Sequence, residues 1–323
     1  MKTPMTPAVS IVASVFNEEH SLEAFHARIC SVLEKSGFNW ELIYVNDGSS
    51  DGSLEILRTF AVQSPKTRVV SFTKNFGHEA AMIAGIDHSS GDAVICLDSD
   101  LQHPPELIPE MVRTFVGGVD VVMMVRLANP DMSPLRRLAN RCFYRVMNVI
   151  SDGALAENAS DFFLLSRRAA AFFSANFRER NRYLRSFIQL AGFKSAQISF
   201  EADQRHAGES SYSLTKLIRL SVNAICNISN APLTLAIYAG LATAVLALGV
   251  GILSIVVWFL GAPPSGYSTL VVVITFFFAM QFFFTGLLGI YLAKLYTEVK
   301  SRPIYVVDSV TGLDDRQACG RVS

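Results

Sequence analysis

The segment Ala93-Val94-Ile95-Cys96-Leu97-Asp98-Ser99-Asp100 runs five apolar residues straight into two carboxylates one residue apart. A short unbroken apolar run of this kind reads as a strand buried on both faces. Two carboxylates leaving such a strand can meet a divalent cation directly or through its water shell. Magnesium and manganese prefer oxygen ligands and keep part of their coordination for substrate phosphates. A helix cap and a turn carboxylate would account for the pair equally well on its own. The strand before it, with Gln102 and Pro104-Pro105 after it, favours a metal-assisted nucleotide-diphosphate site at the tip of the strand.

Outward from that strand, short apolar runs alternate with amphipathic ones. Val9–Phe16 is expected as a strand, Glu18–Lys35 as a helix behind Asn17, and Glu41–Val45 as a second strand. Asn46-Asp47-Gly48-Ser49-Ser50-Asp51-Gly52-Ser53 is a turn by composition, with Asp51 or Ser53 placed to cap the next helix. Arg68–Phe72 is a third strand, Ala80–His88 a helix, Ala93–Leu97 the fourth strand and Val119–Val125 a fifth. Fully apolar strands alternating with helices imply a mainly parallel sheet covered on both faces. In such sheets ligands bind beyond the carboxyl ends of the strands. Asn17-Glu18-Glu19, Asn46-Asp47-Gly48 and Asp98-Ser99-Asp100 should therefore gather at one edge. Beyond Arg126 a helix is expected at Pro134–Ile150, a strand around Phe162–Leu165, helix to about Leu190 and a strand at Ala196–Phe200.

The C-terminal third changes character. No Asp, Glu, Lys or Arg occurs from Leu233 to Ala293, and Gly261-Ala262-Pro263-Pro264-Ser265-Gly266 divides that stretch into segments 234–260 and 268–293. Each exceeds the roughly 20 residues that span a bilayer as a helix. A buried hairpin in a soluble core is the alternative, and such helices seldom run so long without a charge. Lys216 and Arg219 precede the pair, Lys294, Lys300 and Arg302 follow it, and the connection is uncharged. The positive-inside rule then sets both flanks in the cytoplasm. Met1–Val9 lacks the basic-then-apolar pattern of a signal peptide, so the large N-terminal part is expected to stay cytoplasmic. Before the first span, Leu214, Leu217, Ile218, Val222, Ile225 and Ile228 recur at helical spacing, as in an amphipathic helix lying in the membrane interface. The expected organisation is a domain over 1–212, a juxtamembrane helix over 213–232, a hairpin over 233–293 and a tail over 294–323, disordered from Asp308. Gln281, inside the second span, requires a hydrogen-bond partner within the hairpin or across subunits.

Composition excludes other classes. Lys plus Arg equals Asp plus Glu at 28 each, without the basic excess of a nucleic-acid binder. Five scattered cysteines with no C-x-x-C pair indicate neither a disulfide framework nor a zinc site.

Taken in order, Ser14-Val15-Phe16-Asn17-Glu18-Glu19, Asn46 to Ser53, Asn75-Phe76-Gly77-His78, Asp98-Ser99-Asp100-Leu101-Gln102-His103-Pro104-Pro105-Glu106, Ser160-Asp161-Phe162, Arg205-His206-Ala207-Gly208-Glu209-Ser210 and Glu298 to Pro303 resemble the polyprenyl-phosphate glycosyltransferases. These form a branch of glycosyltransferase family 2 that includes dolichyl-phosphate mannosyltransferases and bactoprenol glucosyltransferases. The resemblance implies a GT-A fold and inverting transfer of a sugar, glucose by subgroup, from a nucleoside-diphosphate sugar to a polyprenyl phosphate. It also implies a Mg2+ or Mn2+ cofactor, a cell-membrane location with both termini cytoplasmic, a lipid-linked product for cell-envelope modification, and a homo-oligomer. By position it makes Asn17, Glu18, Asp47 and Asp98 nucleotide-sugar contacts, Asp98, Asp100 and Gln102 the metal cluster, and Asp161 with Asp100 catalytic. Arg126 and Arg205 become phosphate binders, Arg205 with Ser210 on the acceptor side. Asp161 either orients the acceptor or removes a remaining proton, because a phosphate monoester with a second pKa of about 6 is already largely ionised. His78, His103 and His206 rank first as turn or cap residues. Departures from the pattern are Ala13-Ser14 where proline is common, Ser211 in place of a basic residue, and Leu127-Ala128-Asn129-Pro130-Asp131-Met132 without the basic residues common there. Transfer of an amino sugar or 4-amino-4-deoxypentose, or a catalytically silent membrane scaffold, are the alternatives. A processive synthase would carry Gln-x-x-Arg-Trp, which is absent.

Overall fold

The computed structural model describes residues 7–127, 159–179, 184–201, 231–260 and 266–312. The elements in chain order are β1 (Val9–Val15), α1 (Leu22–Ser36), β2 (Trp40–Asn46), α2 (Ser53–Gln63), β3 (Thr67–Phe72), α3 (His78–Asp87), β4 (Ala93–Asp98), α4 (Ile108–Val116) and β5 (Val121–Arg126). They continue with β6 (Ala159–Ser166), α5 (Arg167–Asn176), α6 (Leu184–Leu190), β7 (Ser195–Phe200), α7 (Ala231–Phe259), α8 (Tyr267–Val299) and β8 (Val307–Thr311). Eight strands form one sheet in the order β7-β5-β6-β4-β1-β2-β3-β8. β4, β1, β2 and β3 are mutually parallel. β6 is inserted antiparallel between β4 and β5. The fold is the GT-A-like, mainly parallel α/β architecture.

Alternation along the strands builds two cores, one on each face. Val9, Ile11 and Ala13 pack with α1 and α4 through Phe25, Ile29 and Met111. Val12, Ile43 and Val94 pack with α3 and α5 through Ile83, Ile86 and Phe173. Burying a side chain of this size removes it from water at a gain of about 1.5–3 kcal/mol. α3 lies so close to β1 that a Cβ on Gly85 would stand 2.0 Å from Val12 Cγ1. Glycine at that position sets the depth of the helix, and with it the height of its N-terminus over the sheet edge.

The C-terminal stretch differs from the expected tail. Residues 307–311 form β8, which pairs antiparallel with β3. Just before it, Ile304 is buried, Tyr305 stacks on Phe72 with ring centroids 5.1 Å apart, and the Val306 carbonyl accepts from Thr73 N–H. The residues of β8 alternate between half-buried and exposed, with the charged Asp308 on the exposed side, which suits an edge strand with one wet face. Its mixed composition reads as loop in isolation.

The described residues divide into two compact units, the sheet domain with residues 303–312, and the pair of helices α7 and α8. Within the second, α7 and α8 contain apolar stretches at Leu233–Val257 and Val272–Val299, long and apolar enough to cross a membrane. α8 runs a turn and a half past the expected end at Ala293, carrying Lys294 and Glu298. Leu235 at 69% and Phe282 at 72% exposure belong to helices that bury none of their most apolar windows in protein. Gln281 lines a cavity of about 470 Å³ between the two helices, beside Gly240 and Thr243. The expected helix at 134–150, most of the juxtamembrane helix, and the loop with Arg205 and Ser210 lie outside the described residues.

Candidate active site

The carboxyl ends of the parallel strands are stitched together before any ligand is considered. After β1 the chain turns through Asn17 at φ 55°, and its side-chain oxygen accepts from Ser50 N–H at 2.9 Å. Glu18 N–H donates to Ser53 Oγ at 2.9 Å, and Glu19 Oε2 accepts from Gly52 N–H at 2.7 Å. Asp51 Oδ1 accepts from Ser53 N–H at 3.1 Å, close to the capping role expected of it. Thus α1 begins at Leu22, four residues later than expected, because Glu18 and Glu19 are committed to the neighbouring loop. Asp47, only 2% exposed, accepts from Phe76 and Gly77 N–H at 2.6 and 2.9 Å. It holds the loop that follows β3. Gly48 is obligatory there: at φ 64° it is left-handed, and a Cβ would sit 2.3 Å from the Lys74 carbonyl carbon.

β4 delivers Asp98 into this edge, and antiparallel β6 supplies its counterpart. Cys96 pairs with Phe163; two residues forward on β4 and two back on β6 stand Asp98 and Asp161, carried to the same end and face of the sheet. That face is covered by α3, whose first residue is His78. His78 Nδ1 lies 2.9 Å from Ser14 Oγ, and Nε2 lies 3.4 Å from Asp98 Oδ1 and 4.0 Å from Asp161 Oδ2. On the other side, Arg185 of α6 brings its guanidinium to 3.9 Å from Asp161 Oδ2 while donating to the Ala159 carbonyl at 3.3 Å.

A cavity of about 430 Å³ opens at this edge, lined by Glu18, Asp47, Asp98, Asp100 and Asp161 together with Ser14, Asn75 and His78. Burial, first, and then the Asp161 and Asp100 carboxylates push Asp98 up to about 6, with His78 opposing them. Carboxylates pressed together in this way favour a proton or a cation among them. His103 fixes the loop from beneath. Its Nδ1 accepts from Asp98 N–H at 3.0 Å, so its Nε2 carries the proton and donates to Ser160 Oγ at 2.7 Å. Burial holds its pKa down at about 3, and the ring is a neutral strut between the loop of Asp98 and the strand of Asp161.

Several expected site residues meet here and others do not. Glu18, Asp47, Asp98, Asp100 and Asp161 share the cavity wall. Asn17 stands behind it, bonded to the Ser49–Ser50 turn. Gln102 is turned away from the expected metal cluster: its Oε1 accepts from Arg126 at 3.1 Å, and its N–H donates to Asp100 Oδ1 at 3.1 Å. Among the described residues no three His, Cys, Asp or Glu side chains stand close enough to hold a metal by themselves. Asp98 and Asp100 provide hard oxygen donors at an open cavity, which fits a magnesium or manganese ion completed by substrate phosphates and water. His78, ranked first as a turn or cap residue, opens α3 and also lines the cavity. Arg185 gave no signal in the sequence, since only the pairing of β6 brings Asp161 near its helix.

The model for glycosyl transferase family 2 matches residues 10–172. The glycosyltransferase YkcC of Bacillus subtilis is 34% identical over 95% of each chain. The SfII prophage-derived bactoprenol glucosyl transferase of Shigella flexneri is 35% identical over 93% of this chain and 97% of its own. Among solved structures, glucosyl-3-phosphoglycerate synthase from Mycobacterium tuberculosis aligns at 21% identity and a TM-score of 0.48, covering 68% of this chain and 76% of that one. With a match across half its length and relatives that span nearly all of it, this chain is a glycosyltransferase of family 2.

Proposed function

We propose that the protein moves glucose from a nucleoside-diphosphate sugar to the phosphate of a polyprenyl lipid, with inversion at the anomeric carbon. The observation that carries this reading is the meeting of Asp98, Asp100 and Asp161 at one cavity, in a chain that also holds two helices able to cross a membrane. Similarity to the Shigella flexneri bactoprenol glucosyl transferase supports the choice of sugar and lipid over an amino sugar.

In this reading the stitched loops after β1, β2 and β3 receive the nucleotide, with Glu18, Asp47 and Asn75 on the wall and Asn17 shaping the turn behind. Asp98 and Asp100 would hold Mg2+ or Mn2+, which when bound offsets the negative charge growing on the departing diphosphate. Arg126, kept in place by Gln102, adds a fixed cation near that loop. A phosphate oxygen of the lipid forms the new bond to the anomeric carbon as the bond to the diphosphate breaks on the opposite face. Asp161 orients that acceptor, or takes the one proton a phosphate monoester retains below its second pKa of about 6. Arg205 and Ser210 are proposed to meet the acceptor phosphate as well. The basic residues flanking the spans favour a multi-pass cell-membrane protein with the catalytic domain and both flanks in the cytoplasm. Gln281 at a mid-helix position is consistent with a homo-oligomer packed in the bilayer.

The deciding experiment is transfer by the purified full chain in detergent, with polyprenyl phosphate, Mg2+ or Mn2+, and a panel of labelled nucleotide sugars. A glycolipid formed from UDP-glucose and abolished by chelator is the expected result. No glycolipid with any donor, from protein shown to be folded, would overturn the reading in favour of a silent scaffold.

A further inference from the structure

The charge around Asp161 presents a problem that the carboxylate pair at the metal position does not solve. Both substrates bring phosphate, yet the described residues lining the cavity include Glu18, Asp47, Asp98, Asp100 and Asp161. A divalent ion on Asp98 and Asp100 offsets those two and serves the donor's diphosphate. It leaves Asp161 facing an anionic acceptor. A carboxylate and a phosphate a few ångströms apart repel unless donors or cations stand between them, more so in a partly desolvated site.

Two groups stand there. Arg185 and His78 approach the same oxygen, Asp161 Oδ2, from different elements, at 3.9 and 4.0 Å. Neither contact is a tight ion pair, and His78 and Asp161 both line the cavity. Each group is held by a second anchor, Arg185 by the Ala159 carbonyl and His78 by Ser14. A ring nitrogen facing two carboxylates carries its proton, so Nε2 of His78 is a donor in the neutral ring and in the imidazolium alike. A guanidinium presents five N–H donors in a plane and matches a phosphate with two of them. Displacement at the anomeric carbon requires the acceptor to arrive opposite the leaving diphosphate; with the diphosphate assigned to Asp98 and Asp100 in the reading above, Asp161 is the carboxylate left to the acceptor.

We propose that Arg185 and His78 form a cradle for the acceptor's phosphate, flanking Asp161 and allowing it to work beside an anion. This rests on the transfer reading above and adds to it two binding residues from α6 and α3. The test is binding of farnesyl phosphate, without donor, to the full chain in detergent, alongside separate binding of UDP-glucose with Mg2+. Arg185→Ala is expected to weaken farnesyl phosphate binding at least about tenfold, with donor affinity within twofold of the parent. Arg185→Lys should fall between, keeping charge but losing the fork. His78→Gln, which retains an N–H at the position of Nε2, should bind better than His78→Ala. In turnover assays the same variants should raise the acceptor KM more than the donor KM. Unchanged farnesyl phosphate binding in Arg185→Ala, or a parallel loss of donor affinity, would overturn the cradle. If Arg185→Ala fails to fold after losing the Ala159 bond, unchanged binding in Arg185→Lys and His78→Ala overturns it instead. A parent protein that binds farnesyl phosphate through Arg185 yet makes no glycolipid would keep the cradle and sink the transfer reading.

Discussion

The two ends of the same sheet treat carboxylates in opposite ways. At the amino end, Glu41 accepts from the Ser10 hydroxyl at 2.5 Å and from Ser90 N–H and Oγ at 2.7 and 2.8 Å. It also pairs with Arg68 at 3.2 Å. Burial would raise its pKa, but these partners hold it below the usual range. Asp120 is likewise bonded by Ser166 and Arg168 and held low despite some burial. At the carboxyl end, Asp98, Asp100 and Asp161 face one another across a cavity, and Asp98 is pushed up instead. Residue type and burial hardly separate the two groups. What separates them is how closely donors meet them. Partners reach Glu41 and Asp120 at 2.5–3.2 Å, whereas His78 and Arg185 stay 3.4–4.0 Å from Asp98 and Asp161, which have acids beside them. The first arrangement stabilises the fold, and the second stores repulsion that a cation and a substrate relieve.

The largest effect should come from breaking the acidic end. Asp98→Asn or Asp100→Asn should lower glycolipid formation by about 10²–10³-fold, the scale of losing one principal electrostatic stabiliser of a transition state. The same change should not destabilise the protein. Asp98 has a folded pKa above its unfolded one, so its ionisation costs stability as pH rises from the ordinary carboxylate range towards 6. In chelator at pH 7, thermal unfolding of Asp98→Asn should therefore occur at or above the parent's midpoint. A large drop in that midpoint would mean Asp98 is a structural carboxylate like Glu41, and the contrast would fail.

The amino end should answer with the reverse pattern. Glu41→Ala should cost about 1–3 kcal/mol of stability by stranding Ser10, Ser90 and Arg68, with kcat/KM of the folded fraction unchanged. The pH dependence carries the opposite sign. Glu41's folded pKa lies below its unfolded value of about 4.3, so its contribution is complete above that value and fades as pH falls through it. The stability gap between the parent and Glu41→Gln should shrink below about pH 4.3, as followed by acid titration of the unfolding midpoint. A gap that persisted undiminished into acid would show that packing, not charge, is what Glu41 supplies.

The contrast was half visible in the sequence. Strands β1 to β4 and the loops that end them were legible because parallel buried strands read as apolar runs, and polar triplets such as Asn46-Asp47-Gly48 mark where they stop. The donor half of the site is local in this sense, with its loops bonded to each other. The reacting half is not. Asp161 meets Asp98 only because β6 enters antiparallel between β4 and β5, and no feature of Phe162–Leu165 specifies its direction or neighbours. Arg185 follows from that pairing and was invisible for the same reason. Gln102 shows the converse: its spacing after Asp100 suits a ligand, while beyond the left-handed turn at Leu101, φ 66°, its side-chain oxygen accepts from Arg126. Glu41 and Asp98 look alike in sequence, each an acid in an apolar context, and only their neighbours distinguish them.

The smallest expected effect concerns the helix that joins the two ends. α3 begins with His78 in the cavity and ends with Asp87, another carboxylate surrounded by donors. Asp87 accepts from Ser174 at 2.5 Å, from Arg178 at 2.7 and 3.0 Å, and from the Tyr305 hydroxyl at 2.6 Å. Tyr305→Phe removes one of these donors and leaves the ring stacked on Phe72, so the loss should be about 0.5–1.5 kcal/mol. It should appear as faster amide hydrogen exchange in 303–311 and at the β3 edge, with β1, β2 and β4 unchanged, and with turnover close to the parent's. Asp87 keeps Arg178 and Ser174, which is why the helix should not shift. A fall in turnover comparable to that of Asp98→Asn would mean that the returning strand reaches the cavity through Phe72 and Phe76, which pack edge to face at 5.7 Å. In that case the two ends of the sheet could not be treated as independent, and α3 would be the element that couples them.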